Sequence, residues 1–198
     1  MITDLNVAQL LNGRTRRALH TTRYSSYVVH HRESVAEHTF CTVLYTYIIS
    51  QHLRQHGFVV NAELALSKAL CHDLEEPSGV GDILRQVKHS SLAMSTMLQE
   101  LGLKYVTKTA TDLSTPIIVE HWVRAKDETI EGNVVRLADA LSVVSFLVEE
   151  HGMGNRLLEE VVTDVRVFLK SVEQVMHPVM AELMSRVRQY FDQVIGGA

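Results

Sequence analysis

Cysteine is scarce, with two residues, Cys41 and Cys71, in a chain of 198. That excludes a disulfide scaffold. Both lie in apolar helical stretches, where a reduced thiol packs as a small hydrophobe. Long apolar runs are missing as well. No stretch reaches the ~18 consecutive apolar residues a membrane helix needs, and no signal-peptide pattern opens the chain. The expectation is a cytoplasmic protein with no membrane partner. Positive charge is not in excess, since 19 Lys and Arg against 23 Asp and Glu leave a formal net charge of −4. Broad binding to nucleic acid, which rewards a basic face, is excluded on that ground. A small anionic ligand stays compatible, because a few local cations suffice for it. Strand-like alternation is rare, and repeats and low-complexity linkers are absent. The chain therefore reads as one all-α domain over residues 1–198, long enough to bury a core without staples.

What the sequence does contain is helix punctuation. Thr3 can cap a first helix ending near Gly13. Ser34 with Glu37 forms a capping box that opens a long helix from Val35 to about His56, stopped by Gly57. A third helix runs from about Asn61 to Leu74, and Pro77 forces Glu76 out of helical geometry. Residues 77–81 read as a loop. Further helices are expected from Ser90 to Leu101 (closed by Gly102), from Thr115-Pro116 through Ala125, and from Thr129 to His151-Gly152. Two amphipathic helices, about Asn155 to Glu173 and Pro178 to Ile195, complete the chain.

Four metal-ligand side chains stand out against this frame. His38 falls in the first turn of the long helix, His72-Asp73 at the end of the third, and Asp139 in the stretch 134–148. Taken singly, each is weak; a lone histidine is more often structural than a ligand. Asp139 is harder to dismiss, because 134–148 is apolar on nearly every face and so reads as a buried helix. A bare carboxylate there would cost several kcal/mol, so Asp139 must bind a metal or form an ion pair, with Arg136 or Arg156 as the partner. Two imidazoles and two carboxylates can hold one divalent transition metal with positions left open for chemistry. Cys71 precedes His72 and is a possible soft ligand, but packing suits it better.

The order H…HD…D on an all-helical pattern resembles the HD-domain metal-dependent phosphohydrolases. The likeness is closer to the bacterial 5′-deoxynucleotidases and related small HD nucleotide hydrolases, some phage-encoded, and runs from about Arg23 to Glu150. It is carried by R-Y-S-S-Y-V-V-H-H-R-E-S-V-A-E-H (23–38), C-H-D-L-E-E-P-S-G-V-G-D (71–82), R-Q-V-K (85–88), V-E-H (119–121) and R-L-A-D-A-L (136–141). The resemblance implies a single-domain HD-type helical bundle that forms a homodimer or larger homo-oligomer. It implies one divalent cation (manganese, cobalt, zinc, iron or magnesium) on His38, His72, Asp73 and Asp139. The implied substrate is a small-molecule nucleotide, foremost a deoxynucleoside 5′-monophosphate. A deoxynucleoside triphosphate cleaved to triphosphate, or a degenerate binding module serving as a sensor, are the alternatives.

The likeness also assigns roles around that centre. Glu76, three residues after Asp73, would orient or deprotonate the attacking water, and Asp82 would give a proton to the leaving oxygen. Arg23 matches a phosphate-binding arginine, Lys88 is a second phosphate contact, and Arg32 and His31 are weaker ones. Tyr24 stands where the nearest relatives carry tryptophan and would offer an aromatic platform to the sugar and base. Glu120 and His121 match an E-H pair near the pocket. Glu75 reads as an ordinary solvated glutamate.

Overall fold

The computed structural model describes residues 7–11 and 14–196. Nine α-helices follow one another among them, with no strand. They are α1 (Val7–Leu11), α2 (Val35–Gln55), α3 (Ala62–Cys71), α4 (Arg85–Lys88), α5 (Leu92–Asp112), α6 (Ile117–Val123), α7 (Ile130–Gly152), α8 (Glu159–Val175) and α9 (Pro178–Gly196). The Thr3 cap and the Gly13 stop lie outside the described residues. No helix among them is long and apolar enough to cross a membrane.

The caps act as the sequence implies. Ser34 Oγ accepts from the backbone N of Glu37 at 3.2 Å, and the Glu37 carboxylate accepts from Ser34 N at 2.7 Å. Asn61, Ser91 and Thr129 cap α3, α5 and α7 in the same manner. Each satisfies a backbone donor that a helix start leaves without a partner.

Helix α7 is the axis of the fold and packs against α2, α3 and α9. Where α2, α3 and α7 meet, the buried residues are small: Thr42 and Thr46, Ala65 and Ala69, Ala138 and Ser142. Short side chains let helix axes approach closely. That approach brings three ligand-bearing segments to one point. The larger apolar residues gather farther along α7 and on α8 and α9, where Phe146, Leu147, Leu169, Met180, Met184 and Phe191 form the main core.

Two segments depart from expectation. Gly102 does not end a helix; α5 runs on through it to Asp112. The glycine is there for space, because a Cβ would stand 2.9 Å from Cζ2 of Trp122 on α6 and 3.3 Å from Cβ of Glu75. Residues 77–81 are not an open loop either. Glu76–Val80 wind into a wide helical turn with Pro77 at its start, broken at Gly79. Gly79 has φ +149°, and its face lies against the Tyr105 ring, so only glycine fits both the conformation and the space.

Gly102→Val is expected to destabilise the protein by about 1–3 kcal/mol through overpacking against Trp122. Urea denaturation of the two proteins measures this; equal midpoints and slopes would contradict the packing account.

Candidate metal centre and adjoining cleft

Four ligand atoms converge where α2, α3 and α7 meet. His38 Nε2 stands 3.2 Å from His72 Nε2 and 3.1 Å from Asp139 Oδ1. Asp73 Oδ2 closes the group at 3.1 Å from His72 Nε2 and 3.5 Å from His38 Nε2. The other ring nitrogens are partnered as well. His72 Nδ1 lies 2.7 Å from the carbonyl of Ala69, which can only accept, so Nδ1 carries the proton. His38 Nδ1 faces Ser142 Oγ at 2.9 Å, and that hydroxyl also reaches the His38 carbonyl. His72 Nε2 therefore offers its lone pair to the spot that His38 Nε2 also faces.

The donor set fits a divalent cation. Ligand atoms about 2.0–2.2 Å from one ion stand roughly 3.0–3.5 Å from each other, and four pairs here lie at 3.1–3.5 Å, with His72 Nε2 and Asp139 Oδ1 at 3.8 Å. Without a cation, two acceptor nitrogens and two carboxylates would face one another at repulsive distances. Burial, with Arg23 nearby, holds the His38 imidazole down to about 4, in its neutral ligand form. Burial also opposes charging His72, but Asp73 beside it prevails and raises its pKa; a bound cation displaces that proton. Asp73 and Asp139 resist ionisation through burial, yet the neighbouring His72 and Lys126 hold both well below the usual carboxylate range. Cys71 stays outside the centre, a buried thiol pushed up to about 11 by burial.

Cations ring the centre. Lys126 Nζ donates to Asp139 Oδ2 at 2.7 Å and stands 4.0 Å from Asp73 Oδ1. Asp139 therefore pairs with Lys126 and not with Arg136, whose guanidinium donates to the Lys126 carbonyl at 2.7 Å. Arg156 is far off, donating to the His151 carbonyl. Arg23 bridges Glu33 at 3.3 Å and Asp73 at 3.4 Å. Lys88, the last residue of α4, donates to Glu76 Oε1 at 2.8 Å, while Glu76 Oε2 is buried with no partner. Burial and the charge of Asp73 push Glu76 up to about 8, and Lys88 only partly offsets them.

A cleft of about 460 Å³ opens from this centre, within the usual range for small-ligand sites. Arg23, His72, Asp73, Glu76, Asp82, Lys88, Lys126 and Asp139 give it a polar lining. Val143, Val161, Val165, Phe168 and Val172 supply its apolar lining. Tyr24 also borders the cleft, but its ring stacks on Phe146 with centroids 4.8 Å apart and only 9% of the residue is exposed. It is a wall residue whose face is committed to the core, not an open platform. Its backbone turns through φ +53°, and its N–H donates to Asp82 at 3.0 Å, so Asp82 also anchors that turn.

Other expectations fall elsewhere. Glu120 is exposed on α6 and pairs with Arg124, and His121 does not line the cleft. Arg32 is exposed, and His31 pairs with Glu37 outside the cleft. Glu75 is not solvated; it accepts from Trp122 Nε1 at 2.5 Å, and burial raises its pKa. Sequence reasoning missed Lys126, Glu33 and Ser142. Only Ser142 left a trace, three residues beyond Asp139 on the same helix.

The model of the family described as 5′-deoxynucleotidase YfbR-like matches residues 16–191. The chain belongs to that family. The fold likeness is broad: an HD-domain phosphohydrolase from Listeria innocua superposes with TM-score 0.77 at 19% identity, covering 97% of this chain and 93% of its own. A conserved hypothetical protein from Pyrococcus furiosus gives TM-score 0.74 at 22% identity, covering 93% and 99%. A protein from Pyrococcus horikoshii gives 0.74 at 19%, covering 95% and 99%. At these identities the structures establish the HD fold alone, and the family match places the chain among hydrolases. No curated protein matches the sequence.

Ser142→Ala removes the group that orients His38 while leaving all four donors. Such partners commonly matter 10–100-fold, so the variant should bind manganese about 10-fold or more weakly by calorimetry, with unchanged helicity. Equal affinity would contradict the orienting role.

Proposed function

We propose that this chain is a deoxynucleoside 5′-monophosphatase dependent on one divalent cation. The reading rests on the charge balance of the cleft. Five cationic side chains line it (Arg23, Arg85, Lys88, Lys126 and Arg136) against six carboxylates (Asp73, Glu75, Glu76, Asp82, Asp139 and Asp164). A divalent ion turns a net of minus one into plus one, and the proton that Glu76 takes from the attacking water makes it plus two. A phosphate monoester carries about two negative charges and balances that site. A triphosphate tail brings roughly twice as many, while most of the cations are already tied to groups inside the cleft.

In this reading His38, His72, Asp73 and Asp139 hold the cation, which would supply Lewis acidity toward a phosphoryl oxygen and water. Arg23, Lys88 and Lys126 converge on the same end of the cleft and bind the phosphate oxygens, Arg23 with its planar fork. Their work is to position the phosphate and stabilise its charge, since phosphoryl transfer asks little covalent chemistry of a protein. Glu76, poised near neutrality and held by Lys88, takes the proton of the attacking water. Asp82 relays a proton from solvent to the leaving 5′ oxygen, and Tyr24 walls the site beside Arg23. The two free cysteines suit a reducing cytoplasm.

We also infer that the chain self-associates through α2. Phe40, Leu44, Tyr47 and Ile48 recur at helical spacing on its outer face, and all are exposed. Contiguous exposed apolar faces of this kind mark interaction surfaces. Phe40→Glu with Ile48→Glu should reduce the mass in light scattering to that of one chain. An unchanged mass would remove α2 from the interface.

With manganese or cobalt bound, deoxynucleoside monophosphates should yield inorganic phosphate, and triphosphates should not yield tripolyphosphate. Glu76→Gln should lower kcat about 10²- to 10⁴-fold with little change in KM. Tripolyphosphate release would replace the reading with a triphosphohydrolase. No product from metal-loaded protein would leave a binding module.

A further inference from the structure

The α8 wall of the cleft carries one feature that phosphate hydrolysis does not use. Val161, Val165, Phe168 and Val172 recur at spacings of three and four, so they form one stripe of α8 facing the cleft. Asp164 lies within that stripe, one turn before Phe168, and also lines the cleft. It is half-buried and makes no hydrogen bond or ion pair among the described residues. Directly beside it, the Arg85 guanidinium lies over the Phe168 ring, 4.1 Å from its centroid. The charges of Asp139 and Asp164 both act on Arg85, without a direct ion-pair contact among the described residues. A flat platform therefore stands beside a carboxylate whose oxygens accept no hydrogen bond among the described residues, with only the nearby Arg85 charge to face it.

We propose, on the basis of the nucleotide reading above, that this wall is a nucleobase subsite in which Asp164 selects for guanine. The base stacks against the Arg85–Phe168 pair, as bases do on aromatic rings and guanidinium planes. A carboxylate only accepts hydrogen bonds. Guanine presents N1–H and the N2 amino group side by side, two donors for two oxygens. Adenine and cytosine offer one amino group next to an acceptor ring nitrogen. Thymine and uracil offer one N–H flanked by two carbonyl oxygens, which the carboxylate repels. The order of preference is therefore guanine, then adenine and cytosine, then thymine and uracil.

The test compares native protein, Asp164→Asn and Asp164→Ala on dGMP, dAMP, dCMP and TMP with manganese, and on deoxyribose 5-phosphate, which has no base. The native protein should prefer dGMP over TMP by about 10- to 100-fold in kcat/KM, the range for hydrogen bonds to a charged group. Both variants should lose most of that ratio while deoxyribose 5-phosphate turns over within about 2-fold of native. Calorimetry of dGMP and TMP on chelator-treated protein reads the subsite without catalysis and should show the same order, abolished in the variants. Equal handling of dGMP and TMP by native protein, or a ratio that survives both substitutions, overturns the proposal while the phosphatase reading stands. Differential binding without hydrolysis of any substrate would do the reverse.

Discussion

The fold is organised around a repulsion. Two imidazoles and two carboxylates, from α2, α7 and the end of α3, are gathered in a largely buried place, each imidazole within about 3–4 Å of both carboxylates. Groups so arranged are costly unless a positive charge joins them. The surroundings follow from that need. Lys126 and Arg23 lean on the outer oxygens of the carboxylates, Ser142 and the Ala69 carbonyl hold the imidazoles, and small residues allow the three helices to meet. A helix packing tuned only for stability would have put methyl groups there.

Lys126 is held as firmly as the ligands it serves. Fully buried Lys68 reaches from α3 to Asp127 at 2.7 Å and to the Thr129 hydroxyl at 2.9 Å, which fixes the turn before α7. Arg136 holds the carbonyl of Lys126 from the other side. Of the two lysines, one is spent on structure so that the other can face the cleft. The same economy recurs at Lys88 and Glu76, where a cation steadies a buried acid whose second oxygen is left without a partner.

Much of this was legible in the sequence because it depends on local rules. The capping box at Ser34 and the caps at Asn61 and Thr129 are short-range hydrogen bonds, so spacing alone locates α2, α3 and α7. Asp139 was legible because a carboxylate on an all-apolar helix has few explanations. The rest depends on tertiary contact. Gly102 reads as a helix stop until the Trp122 ring is found against it. Tyr24 reads as a platform until Phe146 takes its face. Lys126 stands in a stretch of mixed charges with nothing to distinguish it from Arg124, which is exposed and pairs only with surface acids. Spacing along the chain carries no information about a side chain that arrives from a turn.

Thermal unfolding of chelator-treated protein titrated with manganese tests the central claim most directly. A cation that binds only the folded chain must stabilise it by mass action. The melting temperature should rise with added manganese, and calorimetric binding should saturate at one equivalent per chain. A melting temperature indifferent to manganese, cobalt and zinc would mean that the four groups neutralise one another by proton sharing, and the account built on them would fail.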